Sequence, residues 1–205
     1  MKRKLLKVGA ITLAIVIAIY LIIVGTAILL FPKKTAKIFS DLGDYKVACK
    51  LYEIEYNRKP SVNNLQKVID YSIIVKNDKK VVTYGKKLLA NDDYKAEYQD
   101  DYYLNFTLSY IKSYYVTGQE NCVETALELA IEYKDGNPEY CAEYSAISVL
   151  SANCYKRKDK NMLLALSEKL QEIVADDTGK EEQKSFYITI NNELNKVNNF
   201  ISRLS

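Results

Sequence analysis

Four cysteines, Cys49, Cys122, Cys141 and Cys154, are the residues of this 205-residue chain best suited to covalent or metal chemistry. None stands at Cys-x-x-Cys spacing and the chain has no histidine, so the ligand pattern of a zinc site is missing. The lack of histidine also removes the commonest general base, and a cysteine nucleophile needs a partner base that is not recognisable here. Two readings stay open for the thiols. They are small semi-buried residues, or Cys122 and Cys154 form a disulfide, since both fall near one end of a helix pair that turns at Gly136-Asn137-Pro138. The acid pairs Asp92-Asp93, Asp100-Asp101, Asp176-Asp177 and Glu181-Glu182 sit at expected turns and helix starts, where capping accounts for them. Neither a glycine-rich phosphate loop nor Gly-x-Ser-x-Gly occurs. The chain is therefore expected to be no enzyme and to carry no cofactor or metal.

Recognition chemistry is better represented. The chain has 18 tyrosines, and Tyr102, Tyr103, Phe106, Tyr110, Tyr114 and Tyr115 cluster in one segment. The stripe from Tyr103 to Tyr114 has core spacing, whereas Tyr115 points about 100° away from Tyr114 and is freer to meet a ligand. Of 29 Lys and Arg, four (Lys2, Arg3, Lys4, Lys7) precede the first apolar run, leaving 25 against 26 Asp and Glu. The basic balance thus belongs to the N-terminus, and no nucleic-acid surface is expected.

These residues need elements to position them. The first is Val8–Phe31, 24 residues without a charge, in which only Thr12, Tyr20 and Thr26 carry a polar side-chain group. As a helix it is about 36 Å long, enough to cross a hydrocarbon core of roughly 30 Å. It exceeds the apolar part of a secretory signal, so an uncleaved signal anchor is expected. Lys33, Lys34, Lys37, Lys46 and Lys50 follow it, which nearly balances the basic residues ahead of it. The dense charge of the seven-residue tail favours keeping that tail in the cytoplasm, with the domain outside. Unpaired cysteines argue for the opposite side.

Past Pro32 the apolar residues recur at three- and four-residue steps with no sustained alternation, which predicts helices and no sheet. Short helices joined by turns at Gly43-Asp44, Pro60, Asn77-Asp78, Asn91-Asp92-Asp93, Gly118, Gly136-Asn137-Pro138, Lys156–Lys160 and Asp176-Asp177 are read in antiparallel pairs. The triplet Asn105-Phe106-Thr107 spells a glycosylation site but lies mid-helix.

Asp44 and Asp78 occupy like places 34 residues apart, the length of a tetratricopeptide unit. Gly43, Asp44, Tyr45, Ala48, Tyr52 and Pro60 resemble the second half of such a unit. In that family a small residue sits where the two helices touch (here Ala48), an aromatic packs between helices (Tyr52) and a proline ends the pair (Pro60). The first half departs from the pattern, with Pro32 in place of Trp and Thr35-Ala36 in place of Leu-Gly. The second unit departs too, with Val82 at the small site and Lys86 at the aromatic one. The apolar run, the helical periodicity and the resemblance together predict an all-α chain: a basic tail at 1–7, a transmembrane helix at 8–31, a tetratricopeptide-like solenoid of helix pairs at 32–177 and a capping helix at 178–205. The resemblance also implies that the first helix of each pair lines a concave groove. Asn64, Lys67, Tyr71, Asn105, Lys112, Tyr115 and Tyr155 would then face an extended peptide with acidic or carboxylate groups. The last helix, with Tyr187, Ile190, Leu194, Val197, Ile201 and Leu204 in one stripe, either caps the stack or forms the seam of a homodimer.

The expected function is a membrane-anchored scaffold or receptor that holds a protein or peptide partner, in contact with the bilayer through residues 8–31. The alternative is a structural subunit of a larger membrane complex without a free groove.

Overall fold

Lacking charges and breakers, the first apolar run forms one uninterrupted helix, α1 (Lys2–Leu30). It takes in the basic tail as well, because Lys, Arg and Leu are good helix formers and nothing before Val8 stops the helix. The computed structural model describes residues 2–95, 101–136, 146–176 and 184–204. Within α1 the stretch Ile11–Ile28 is long and apolar enough to cross a membrane, and none of that stretch is buried against the rest of the chain. The chain divides into two compact units, Met1–Lys76 and Asn77–Ser205.

In the first unit α1 is followed by α2 (Pro32–Asp41), α3 (Tyr45–Arg58) and α4 (Val62–Ile74). Pro32 opens α2 at its first position, where its missing N–H costs nothing. α2 ends in a Schellman turn. Gly43 at φ +81° donates to Ser40 O (2.9 Å) and Asp44 N donates to Phe39 O (2.8 Å). The Asp44 carboxylate then caps α3 by accepting from Val47 N at 3.2 Å. α3 packs between α2 and α4. Its buried face carries Ala48, Cys49, Leu51 and Tyr52, and fully buried alanines on both α2 (Ala36) and α3 (Ala48) suit close packing of those helices.

The second unit holds α5 (Asp78–Leu89), the single turn α6 (Asp92–Lys95), α7 (Asp101–Val116), α8 (Cys122–Gly136), α9 (Ala146–Lys156), α10 (Lys160–Ala175) and α11 (Lys184–Arg203). The expected loop at Asn91-Asp92-Asp93 is in part helical, with Asn91 capping α6 through Tyr94 N. Two Schellman turns recur. Gly118 (φ 66°) follows α7, with Gln119 N bonded to Tyr114 O; Lys158 (φ 57°) follows α9, with Asp159 N bonded to Cys154 O. Packing joins chain neighbours (α7–α8, α8–α9, α9–α10, α10–α11) and also helices two apart (α5–α7, α7–α9, α8–α10, α9–α11). The core runs through Leu88, Phe106, Ile111, Ile147, Leu150, Leu163, Leu166, Ile190 and Val197. Among the described residues there is no strand. Tyr140, Cys141, Tyr144, the Asn137-Pro138 turn, Asp100, Asp177 and Glu181-Glu182 lie outside them.

Candidate functional site

Three of the seven expected groove residues sit on α4, in the first unit. Asn64 is 7 % exposed and donates its amide to Lys59 O at 2.9 Å, which ties the end of α3 to the start of α4 around Pro60. Tyr71 is half-buried. Its hydroxyl shares a 2.6 Å hydrogen bond with Ser40 Oγ, and its ring stacks on Tyr52 with centroids 4.9 Å apart. Lys67 is exposed, 3.5 Å from Asp70. The other four lie in the second unit. Asn105 and Lys112 are exposed on α7, two turns apart. Tyr115 is buried and donates its hydroxyl to Asp159 Oδ2 at 2.9 Å, while Asp159 Oδ1 caps α10 through Met162 N. The Arg157 guanidinium lies 5.5 Å from the Tyr115 ring centroid. Tyr155 stacks on Phe200 at 4.3 Å. Asn64, Lys67, Tyr71, Tyr115 and Tyr155 thus have partners within their own unit, and Lys67, Asn105 and Lys112 are exposed.

A surface missed by periodicity lies at one end of the first unit. The α2–α3 turn and the C-terminus of α4 enclose an open cleft of about 560 Å³, lined by Leu42, Gly43, Asp44, Tyr45, Lys46, Ile74, Val75 and Lys76. Its apolar lining is unusually open: Leu42 is 75 % exposed, Ile74 51 % and Tyr45 42 %. The Asp44 carboxylate is engaged at the α3 cap, which leaves Lys46 and Lys76 as the cationic rim. Ile74 lies off the buried face of α4 that carries Leu65, Val68 and Ile69. A smaller cavity of about 260 Å³ in the second unit has the opposite character, with Glu120, Glu124 and Glu168 beside Lys169. Among the described residues no group of three or more His, Cys, Asp or Glu could hold a metal ion.

Of the two readings left open for the thiols the disulfide is set aside: Cys122 and Cys154 are both free, buried thiols, as is Cys49. The two thiols are close enough for Cys122 to act on the charge of Cys154, but they are not bonded. Burial pushes the Cys154 thiol up to about 12, with Asp159 and Cys122 adding to the effect and the Tyr115 hydroxyl opposing it. Burial, helped by Glu124, pushes Cys122 up to about 11. Both folded-state values lie above the unfolded value of about 8.5–9. Below that value the thiols are neutral in both states. As pH rises beyond it the unfolded chain ionises first, so stability falls by about 1.4 kcal/mol per pH unit for each thiol until the folded value is passed. Urea midpoints measured from pH 8 to 11 are expected to fall more steeply for the native chain than for Cys154→Ala. Equal slopes would mean that Cys154 is not held protonated.

Comparison with protein-family models, with curated proteins and with solved structures returns no match.

Proposed function

We propose that this chain is a single-pass membrane protein whose helices form a tetratricopeptide-like interaction module holding a protein or peptide partner at the membrane. A helix that is apolar all round belongs in a core or in a bilayer, and Ile11–Ile28 packs into no core of this chain. The repeat reading is supported by the left-handed turn residues Gly43, Lys76, Gly118 and Lys158, each leading into the next helix. It is supported further by packing between helices two apart in the second unit, as expected when helix pairs stack.

The observation that carries the binding function is the open cleft of the first unit. Exposed Leu42, Tyr45 and Ile74 offer an apolar seat, and Lys46 and Lys76 offer two cations beside it. Such a site suits an extended segment with an apolar side chain and a neighbouring carboxylate. Lys67 on α4 of the first unit and Lys112 on α7 of the second are exposed, each within its own unit. Nothing in this reading requires a reaction, since shape and a few charges suffice to hold a partner.

The test is affinity capture of the detergent-solubilised full chain, with each co-purifying protein quantified against variants. Lys46→Glu with Lys76→Glu is expected to lower capture of a specific partner about tenfold or more, given roughly 1.5–3 kcal/mol for a charge-assisted contact. Circular dichroism should be unchanged, because both lysines lie on the surface. Capture that ignores this pair but falls on Lys67→Glu, or on Lys112→Glu, would move the site to the α4 face of the first unit or to the α7 face of the second. Capture indifferent to all of these changes would reject the receptor reading in favour of a structural subunit.

A further inference from the structure

We propose that α2 is an interfacial helix that seats the first unit on an anionic lipid surface, with Lys33, Lys34 and Lys37 at the headgroups and Ile38 in the acyl boundary. The inference rests on reading α1 as a membrane span. It adds a second contact with lipid and a fixed attitude for the helices that follow.

The geometry begins at Thr35. In a straight helix a hydroxyl reaches the carbonyl four residues back, and the carbonyl eight residues back lies about 6 Å farther along the axis. Thr35 Oγ1 donates to Phe31 O at 2.9 Å and lies 3.2 Å from Ala27 O. One hydroxyl meets both only because the chain bends at Phe31, whose φ of −135° and ψ of 54° are not helical. Pro32 supplies the break, and the buried Thr35 hydroxyl is a second donor at the Phe31 and Ala27 carbonyls, which already accept from Thr35 N and Phe31 N. α2 therefore leaves the apolar helix at an angle, held to its last turn by a side-chain clamp.

The two faces of α2 differ in the way an interfacial helix requires. Pro32, Thr35 and Ala36 are buried on the inner face, and α2 packs against α3. Lys33, Lys34, Lys37 and Ile38 are exposed on the outer one, with Ile38 at 58 %. Asp41 offsets one lysine through a 3.0 Å pair with Lys37, so the face keeps a positive excess. Phe31, 55 % exposed, lies under the Lys34 ammonium at 5.6 Å. An aromatic ring and a lysine at the end of an apolar span suit the boundary between acyl chains and headgroups, where the ring is half wet and the amine reaches phosphate. The choice of lipid over a protein partner follows from continuity: this face begins within three residues of the end of α1. Each lysine brought to an anionic membrane surface is worth roughly fivefold in affinity.

The chain contains no tryptophan, so one introduced indole is a unique reporter. The full chain carrying Ile38→Trp, and separately Ile17→Trp, is reconstituted in phosphatidylcholine vesicles with and without phosphatidylserine. Depth is read by quenching from lipids brominated at shallow or deep acyl positions. Ile17→Trp is expected to be quenched most by deep bromines, which tests the span alone. Ile38→Trp is expected to emit at shorter wavelength and to be quenched most by shallow bromines when phosphatidylserine is present. Adding Lys33→Glu, Lys34→Glu and Lys37→Glu should remove most of that quenching while Ile17→Trp keeps its own. Deep quenching at Ile17→Trp with water-like, unquenched emission at Ile38→Trp overturns the inference and leaves the span standing. Shallow quenching indifferent to the three reversals or to phosphatidylserine overturns the assignment to anionic headgroups. No quenching at Ile17→Trp removes the span and this proposal with it.

Discussion

Gly85→Ala is expected to destabilise the second unit by about 1–2 kcal/mol, against the ordinary rule that alanine strengthens a helix by about 1 kcal/mol over glycine. Gly85 lies on the buried face of α5, which packs against α7. A Cβ placed on it would stand 2.5 Å from Tyr110 Cδ2, 2.7 Å from Tyr110 Cε2 and 3.2 Å from Phe106 Cε2. Those atoms cannot simply swing away, since Tyr110 is 2 % exposed and Phe106 1 %. They also belong to an aromatic series, with Phe106 5.6 Å from Tyr110 and Tyr110 5.5 Å from Tyr114 between centroids. Moving one ring displaces the next. Overpacking of this kind costs about 1–3 kcal/mol for a methyl and more for a branched side chain, so Gly85→Leu should unfold the unit or force a rearrangement. For a domain of this size each kcal/mol lowers the melting temperature by about 2–4 °C, which a circular-dichroism melt resolves. Combining Gly85→Ala with Tyr110→Val should cost less than the sum of the two single changes, because the smaller residue opens the space the methyl needs. A higher melting temperature for Gly85→Ala would show that α5 and α7 are not in this contact.

The sequence made such features legible to different degrees. α1 was readable because a long charge-free run has few other fates. The turns at Gly43 and Gly118 were readable because glycine adopts positive φ without strain. Lys76 (φ 56°) and Lys158 (φ 57°) take the same conformation with no such signature, and their turns show only through Asn77 and Asp159, which cap the helices that follow. Ala48 and Tyr52 are buried where the periodicity put them. Periodicity names a helix face but not the partner that face meets. Asn64 binds a backbone carbonyl, and Tyr115 binds a carboxylate 44 positions away. Neither partner could be read from local spacing. The cleft escaped for a related reason: it joins a turn at residues 42–46 to a helix end at residues 74–76, and Tyr45, which shares the helical spacing of Ala48 and Tyr52, is exposed there while they are buried. Spacing left the thiols open between burial and a disulfide because a shared helix end constrains position to several ångströms, whereas an S–S bond constrains direction as well; they are free and buried.

Leu194→Asp is expected to cost about 3–5 kcal/mol, and Ile201→Asp on the same helix roughly 1–2 kcal/mol. The contrast comes from what each touches. Leu194 is 8 % exposed and lies between Ile190 (1 %) and Val197 (0 %) on the face of α11. That helix packs against α10 and α9. A carboxylate placed there must give up its hydration on an apolar face, so it either protonates or opens the packing. Ile201 is only half-buried, and a charge there keeps part of its hydration. The same region is pinned by Ser167 Oγ donating to Asn198 Oδ1 at 2.8 Å, by Lys196 Nζ donating to Ser148 Oγ at 2.6 Å and by the stack of Tyr155 on Phe200. The outward residues Asn191, Asn192, Asn195 and Asn199 are polar, which is what the last layer of a helical stack requires. A capping helix predicts that Leu194→Asp lowers the melting temperature of the monomer by roughly 10 °C while Ile201→Asp changes it by a few degrees. A homodimer seam predicts otherwise: both substitutions would reduce the sedimentation coefficient, and neither would melt the monomer. Thermal melts paired with sedimentation velocity therefore separate the two roles. Equal, small losses of stability with loss of a dimer would transfer the stripe from the core of one chain to the contact between two.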